Sequence, residues 1–255
     1  SGRPVLFPDI TYSFYDVWAD LYRIPYEKKA LDEQFAIKPE DYRQPNGGII
    51  FPNPNAPTGM TVSVSEIRRL LEKDRDRVVV VDEAYVDFGA ESCVPLVREY
   101  DNLLVTQTMS KSRSLAGGRV GFALGSAELI ADLNRVKYSF NPYNVNRLSL
   151  LAGAAAVEDE EYFQSCCRAV RDNRAWTTEA LEARGFRVLP SSANFIFAQS
   201  GHLPGGELYR KLKEAGILVR WFDRDRIRDF CRITIGSREQ MEALIEQIGR
   251  LLSEL

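Results

Sequence analysis

The sequence predicts an α/β architecture with a mainly parallel sheet, followed by a smaller α+β unit. Short apolar runs alternate with helix-period segments through the first part of the chain, the pattern of βαβ units. Four consecutive valines, Val78 to Val81, suit a strand covered on both faces. The texture changes after SFNPYNVN, so a boundary is placed near residue 145, with a larger unit over 1–145 and a smaller one over 146–255.

Taken in order, Gly48 to Phe51 (GIIF) reads as a strand that runs into PNPNAPTG, a Pro/Asn-rich loop, and Ser65 to Lys73 as a helix opened by a serine cap. The valine strand ends at Asp82-Glu83-Ala84-Tyr85. Asn102 to Thr106 predicts another strand, QTMSKSRSLAGGR a long connection, VGFALG a further strand, and Ser126 to Tyr138 a helix with its own serine start. In the second unit a long Ala/Glu-rich helical stretch, broken in the middle, covers about 147–184. Short strands are predicted at Phe186 to Leu189, Asn194 to Ala198, Ile217 to Arg220 and Cys231 to Ile235, with helices at about 205–215 and 237–252.

Composition narrows the function. With 255 residues, 33 Lys+Arg against 36 Asp+Glu and 45% hydrophobic residues, the chain is neither disordered nor fibrous and is long enough for a sizeable core. A net charge of -3 gives no general footing for nucleic acid or an anionic membrane, so an anionic ligand must be met by local Arg or Lys. No run of 18 apolar residues and no signal-peptide pattern is present, and a cytoplasmic setting is expected. The four cysteines (Cys93, Cys166, Cys167, Cys231) form no CxxC pair, and the single histidine, His202, lies in a Gly/Pro-rich stretch. Metal and Ser-His-Asp chemistry are therefore not expected.

In open α/β sheets functional groups gather at the carboxyl ends of the strands. Three successive strands here are followed by Asn53 to Gly59, by Asp82 with Tyr85, and by Lys111 with Arg119. A carboxylate, a phenol, a lysine in a Ser-rich loop and a guanidinium are what a pyridoxal phosphate site requires. Each also has a plainer reading: a solvated lysine, a capping aspartate, a surface arginine.

NPNAPTG, VVVVDEAYVDF and TMSKSRSLAGGRVGF, in that order and spacing, resemble the fold-type I aminotransferases of the pyridoxal phosphate family. FPDITYSFY, NPYNVN, SSANFIFA, GILVRWF and CRITIG bring the chain nearer still to the histidinol-phosphate aminotransferases within it, and together these motifs extend over nearly the whole chain. The resemblance implies a large pyridoxal phosphate-binding domain with a mostly parallel sheet, a small C-terminal domain and a homodimer. It makes Lys111 the Schiff-base lysine, which carries a proton between substrate Cα and cofactor C4′. Asp82 would keep the pyridine nitrogen protonated, Tyr85 would donate to the ring oxygen, and Tyr12 would stack on the ring. Thr108, Ser110 and Arg119 would bind the cofactor phosphate. Arg232 is implied as the carboxylate clamp for glutamate and 2-oxoglutarate, and Arg220 as the partner of the histidinol phosphate phosphate or of the second carboxylate of glutamate.

Two departures from the family pattern qualify this. Ala56 stands where the family normally has Asn immediately before PTG, and Asn55 is the expected substitute. In similar proteins FPDITYSFY follows a substantial N-terminal segment holding an arm, a strand, a helix and a Gly-Ser-rich phosphate turn. The large domain is accordingly expected to be N-terminally incomplete and the chain a fragment that folds incompletely or binds cofactor weakly. Three functional readings stay open: the transaminase of histidinol phosphate, a related pyridoxal phosphate enzyme for aromatic amino acids or threonine phosphate, and a catalytically incomplete fragment. Tyr12 and Tyr15 also have the plainer reading of core aromatics, and Arg220, with Arg224, Arg226 and Arg228 nearby, that of a solvated arginine-rich neighbourhood.

Overall fold

A computed structural model of the chain describes residues 2–254. Its first sheet has six strands: β1 (Val5–Pro8), β2 (Tyr26–Lys29), β3 (Gly48–Pro52), β4 (Val79–Asp82), β5 (Leu103–Thr108) and β6 (Gly121–Gly125). Their order is β2-β1-β3-β4-β5-β6, and all neighbours pair in parallel except β6, which returns antiparallel to β5. Because Pro52 lies opposite Asp82 and Asp82 opposite Thr106, the carboxyl ends of β3, β4 and β5 share one edge of the sheet. That edge carries the polar loops singled out in the sequence.

Three helices belong with this sheet: α1 (Tyr15–Leu21), α2 (Val64–Lys73) and α3 (Ala127–Phe140). Helix α2 presents Ile67, Leu70 and Leu71 to the core, all fully buried, beneath Ile49, Phe51, Val79 and Val81. Each such side chain contributes roughly 1.5–3 kcal/mol of transfer free energy. The cap of α2 is Ser63 rather than Ser65: Ser63 Oγ accepts the Glu66 N–H while Glu66 reaches back to the Ser63 N–H, closing a capping box. Strand β1, helix α1 and strand β2 were not anticipated, since FPDITYSFY mixes proline and aromatics and lacks both the period of two and the period of 3.6.

The predicted break in the long helical stretch falls at Asp159. Helix α4 (Arg147–Glu158) ends there, and α5 (Glu160–Glu182) begins with Asp159 accepting the Tyr162 N–H. A second sheet follows, built from β7 (Phe186–Val188), β8 (Phe195–Ser200), β9 (Arg220–Trp221) and β10 (Phe230–Thr234) in the order β7-β8-β10-β9, all antiparallel. Helices α6 (Gly205–Glu214) and α7 (Arg238–Ser253) cover it, together with α5. The strand expected over Ile217 to Arg220 is in fact only Arg220–Trp221, because Ala215 and Gly216 still close the end of α6 and the Ile217 N–H bonds to the Leu212 carbonyl.

The two sheets are joined by a shared core. Ile10, Leu31 and Phe35 from the first unit pack with Leu189, Phe197, Ile227 and Phe230 from the second, and the Phe197 and Phe230 rings stack at 4.8 Å. Arg226 adds a polar strap, donating to Asp9 Oδ2 at 3.2 Å and to the carbonyls of Leu31 and Asp32 at 2.9 and 2.7 Å.

Candidate active site

The two sheets flank a cleft of about 560 Å³. Its walls come from the loop after β1 (Ile10 to Ser13), from Ala56 and Pro57 after β3, from Tyr85 and Lys111, and from the β9–β10 segment with Arg220, Phe222, Arg224, Ile227 and Arg232. Four of these side chains are cationic and none is a carboxylate. A cavity of this size with an uncompensated positive lining is built for an anionic small molecule.

Lys111 opens the loop after β5, with its Nζ 5.5 Å from the centroid of the Tyr85 ring. Burial lowers its pKa, and the charges of Arg232 and Arg119 push the same way. More of the lysine is therefore the neutral amine at a given pH, the form that attacks a carbonyl. The loop is conformationally forced: Ser114 and Arg119 both hold positive φ, at 54° and 53°, where side chains other than glycine are disfavoured. Arg119 Nη1 donates to the Ala116 carbonyl at 3.1 Å, folding the guanidinium back over its own turn. Thr108 Oγ1 accepts the Ser110 N–H at 3.1 Å and holds the start of the loop against the end of β5.

Asp82 is the last residue of β4. Its Oδ2 accepts from the Tyr15 hydroxyl at 3.1 Å and its Oδ1 from the Ala84 N–H at 3.1 Å. Burial pushes this carboxyl above the ordinary range, while the two hydrogen bonds pull it back. Each oxygen has one such donor, so the carboxylate is oriented and keeps lone pairs for a further cation. Tyr15 is thus more than the core aromatic its sequence context suggested: its ring is buried but its hydroxyl fixes the acid. The ITYSFY motif holds a signal for this, since Tyr12 and Tyr15 stand three apart at a helix start and face the same way; their rings meet edge-on at 5.6 Å. Tyr12 itself is half-exposed in the cleft wall, within an aromatic cluster that includes Phe14 and Trp18.

Arg232 rises from β10 between Phe195 and Phe222, with its guanidinium carbon 5.1 and 6.0 Å from their ring centroids. Burial lowers its pKa, the Tyr85 hydroxyl raises it and the neighbouring Arg220 lowers it again. Its Nε is buried with no hydrogen-bond partner, and Arg232 makes no ion pair among the described residues. A half-buried guanidinium without an ion pair, facing a cleft, is available to an anionic ligand. Arg220 lines the same wall over the Phe222 ring, at 5.3 Å.

Of the ten residues singled out from the sequence, Tyr12, Tyr85, Lys111, Arg220 and Arg232 line the cleft. Asp82, Thr108, Ser110 and Arg119 lie behind or beside it on the same sheet edge. Asn55 requires correction as a cofactor ligand. Its amide donates to the Ile10 carbonyl at 3.0 Å and to Thr58 Oγ1 at 3.1 Å, and its Oδ1 accepts from Thr11 at 2.9 Å. The bonds to Ile10 and Thr11 hold the loop after β3 to the loop after β1, the bond to Thr58 closes the β3 loop on itself, and it is Ala56 that faces the cleft. Arg224, read from the sequence as one of several solvated arginines, is in the cleft wall.

Residues 1–248 match the family described as aminotransferase class I and II. The histidinol-phosphate aminotransferase of Pseudomonas putida strain W619 is 56% identical over 248 residues, which are 97% of this chain and 71% of that protein. That of Clostridium botulinum strain Langeland is 48% identical over 98% of this chain and 71% of its own length. Among solved structures, the histidinol-phosphate aminotransferase from Clostridium acetobutylicum superposes with a TM-score of 0.92 at 23% identity, over 99% of this chain and 79% of that one. The Sinorhizobium meliloti histidinol-phosphate aminotransferase, solved in complex with pyridoxal-5'-phosphate, gives a TM-score of 0.85 at 20% identity, over 98% of this chain and 72% of that one. At those identities the superpositions speak for the fold alone; the sequence matches, which cover nearly the whole chain, go further. The chain belongs to the class I and II aminotransferase family, among the histidinol-phosphate aminotransferases.

Proposed function

We propose that the chain carries out pyridoxal phosphate-dependent transamination of L-histidinol phosphate with 2-oxoglutarate, giving imidazole acetol phosphate and L-glutamate, a step of histidine biosynthesis. The observation that carries this reading is the cleft in which Lys111 meets Arg220, Arg224 and Arg232 with no carboxylate in the lining. Both substrates and the cofactor are anions, and Arg232 lines the cleft without an ion pair among the described residues.

The residues fit the cofactor. Lys111 would hold it covalently, Asp82 and Tyr85 would hold its ring, Tyr12 would lie against the ring face, and Thr108, Ser110 and Arg119 would hold its phosphate. When bound, pyridoxal phosphate supplies an electron-withdrawing ring that stabilises negative charge at the substrate Cα. Asp82, oriented by Tyr15 and Ala84, would hold a proton on the pyridine nitrogen of the bound cofactor. Tyr85 would donate to its ring oxygen. Lys111 would serve as the base that takes the proton from the substrate Cα, a task suited to an amine of lowered pKa. Arg232 grips the α-carboxylate of glutamate or 2-oxoglutarate through its planar fork.

The chain is proposed to act in the cytoplasm as a homodimer. Its four cysteines carry free thiols, which suits a reducing compartment. Exposed apolar side chains along α3 and α4 offer a surface for pairing.

The test is borohydride reduction of the purified chain after mixing with pyridoxal phosphate, read by peptide mass spectrometry with Lys111→Ala as control. One reduced cofactor on Lys111, absent from the control, is expected. A substrate panel on the same material should favour histidinol phosphate over phenylalanine and tyrosine. Absence of selective labelling would leave the chain with the chemistry's residues but not a working site.

A further inference from the structure

Tyr85 and Lys111 follow different strands, and one side-chain hydrogen bond ties their loops together. Asp87 stands two residues after Tyr85, in the single turn Val86–Phe88, and its Oδ2 accepts from the hydroxyl of Ser112, the residue next to Lys111. Ser112 is buried outside the cleft lining, while Lys111 beside it lines the cleft. Asp87 is exposed, and among the described residues it forms no ion pair and no other side-chain hydrogen bond. The turn beneath it is rigid: the Phe88 N–H donates to the Tyr85 carbonyl at 3.2 Å, the Gly89 and Ala90 N–H groups donate to the Val86 carbonyl at 3.2 and 3.0 Å, and Phe88 is buried against Phe163 and Cys167. The lysine loop closes on itself through Ser114 N–H to the Lys111 carbonyl at 3.1 Å and Leu115 N–H to the Met109 carbonyl at 2.9 Å, bonds that do not reach the Tyr85 turn. Arg113 ties the loop instead to α4, donating to the Ala156 carbonyl at 2.8 Å.

From this arrangement we infer that Asp87 is a positioning residue: acting through Ser112, it fixes the lysine loop on the turn that carries Tyr85 and so sets where the Lys111 amine stands relative to that phenol. The inference rests on the reading of Lys111 as the cofactor-binding lysine and adds to it a residue that touches neither cofactor nor substrate. A lysine amine rides on a flexible four-carbon stem, so its placement depends on how firmly the backbone at its Cα is held. A hydroxyl bound to a carboxylate makes a charge-assisted hydrogen bond, stronger than a neutral one, and cutting it leaves a buried donor unmet. The charges that bear on Lys111 are those of Arg232 and Arg119, not that of Asp87. The part played by Asp87 is therefore geometric, and an uncharged acceptor in its place should serve.

The experiment compares the full chain with Asp87→Ala, Asp87→Asn and Ser112→Ala by two readouts. The first is amide hydrogen exchange of the cofactor-free proteins over 109–115, with β8 as the internal control. Asp87→Ala and Ser112→Ala should each speed exchange over 109–115 about tenfold and leave β8 unchanged, while Asp87→Asn, whose amide oxygen still accepts the serine hydroxyl, should match the parent. The second is the rate of pyridoxal phosphate addition to Lys111 as a function of pH, trapped with borohydride. The Ala variants should slow addition about tenfold with the midpoint of the pH profile unmoved, and Asp87→Asn should restore the rate. Unchanged exchange in Asp87→Ala would overturn the inference. So would faster exchange with a parental rate of addition, which would confine Asp87 to a structural role. A rate lost in Asp87→Asn with a shifted midpoint would replace geometry by charge and overturn it as well. If the parent itself is not labelled at Lys111, the cofactor reading falls, and the exchange data alone decide whether Asp87 fixes the loop.

Discussion

Lys111 and Asp82 carry opposite electrostatic burdens, and each predicts a measurable response. Burial, Arg232 and Arg119 all lower the Lys111 pKa, so removing one of those cations should raise it. Arg232→Gln is expected to move the pH profile of cofactor addition to Lys111 toward higher pH, followed by the absorbance of the lysine adduct; an unmoved profile would remove Arg232 from the lysine's environment. Asp82 is pushed the other way. Its folded pKa lies above the ordinary value, so at pH above that folded pKa the ionised carboxylate costs the fold free energy, and below the ordinary range both states are protonated and the cost vanishes. Asp82→Asn should therefore raise the Tm of the cofactor-free chain near neutral pH, with a gain that shrinks as the pH falls through the folded pKa. The same substitution should abolish transamination, because an amide cannot hold a positive charge on the pyridine nitrogen. A fold stabilised by neutralising the carboxylate proposed to hold the cofactor ring is the expected signature of a site shaped for chemistry.

At the scale of elements, the loop after β3 is fixed by contacts from outside its own stretch. Gly59 holds φ +80°, and a Cβ there would stand 2.4 Å from Ser191 Oγ and 2.7 Å from Ser191 Cβ, while its carbonyl accepts the Ser192 N–H. Gly59→Ala combines left-handed strain with a steric clash against the second unit, and should cost at least about 2 kcal/mol in urea unfolding. A change within about 0.5 kcal/mol would mean the two segments do not meet as described. The sequence announces this glycine as part of a PTG turn but says nothing of Ser191, because the two positions lie 132 apart in the numbering. The same limit explains the other differences. Strands β3, β4, β5, β8 and β10 were legible because apolar runs between turn residues are local signals. Helices α2, α3, α5 and α7 were legible from composition and period, and α3 also from its serine start, whereas the serine cap of α2 lies at Ser63, two residues before the one expected. The β1–α1–β2 stretch was not, since its aromatic and proline residues are dictated by the cleft and by packing on the second sheet. Among site residues, Lys111, Asp82 and Tyr85 are marked by motif and by position after a strand. The engagement of Asn55 with Ile10, Thr11 and Thr58, and the pairing of Arg226 with Asp9 while Arg224 lines the cleft, are products of tertiary partners that no local pattern encodes.

For the whole molecule, the surface left apolar is as informative as the core. From the end of α3 into α4, Tyr138, Phe140, Tyr143, Leu148 and Leu151 are all 60% or more exposed. Leu148 and Leu151 stand three apart on α4, one face of one helix, and that helix also approaches the turn at 116–118 that precedes Arg119. Isolated exposed apolar residues are ordinary, whereas several within one short stretch suit a pairing surface. In the homodimer proposed above, a second copy covers this stretch, and its arrival beside the lysine loop would also exclude water from the cofactor side of the cleft. Paired charges placed there should separate the copies without touching either sheet. Leu148→Glu with Leu151→Glu is expected to convert a dimer mass into a monomer mass by light scattering, with the far-ultraviolet circular dichroism unchanged. Cofactor labelling at Lys111 should fall in the same variant, since α4 would no longer be braced against the loop that presents the lysine. A double variant that keeps the dimer mass would move the pairing surface away from α4, and one that is monomeric yet labels fully would show that each copy completes its lysine site alone.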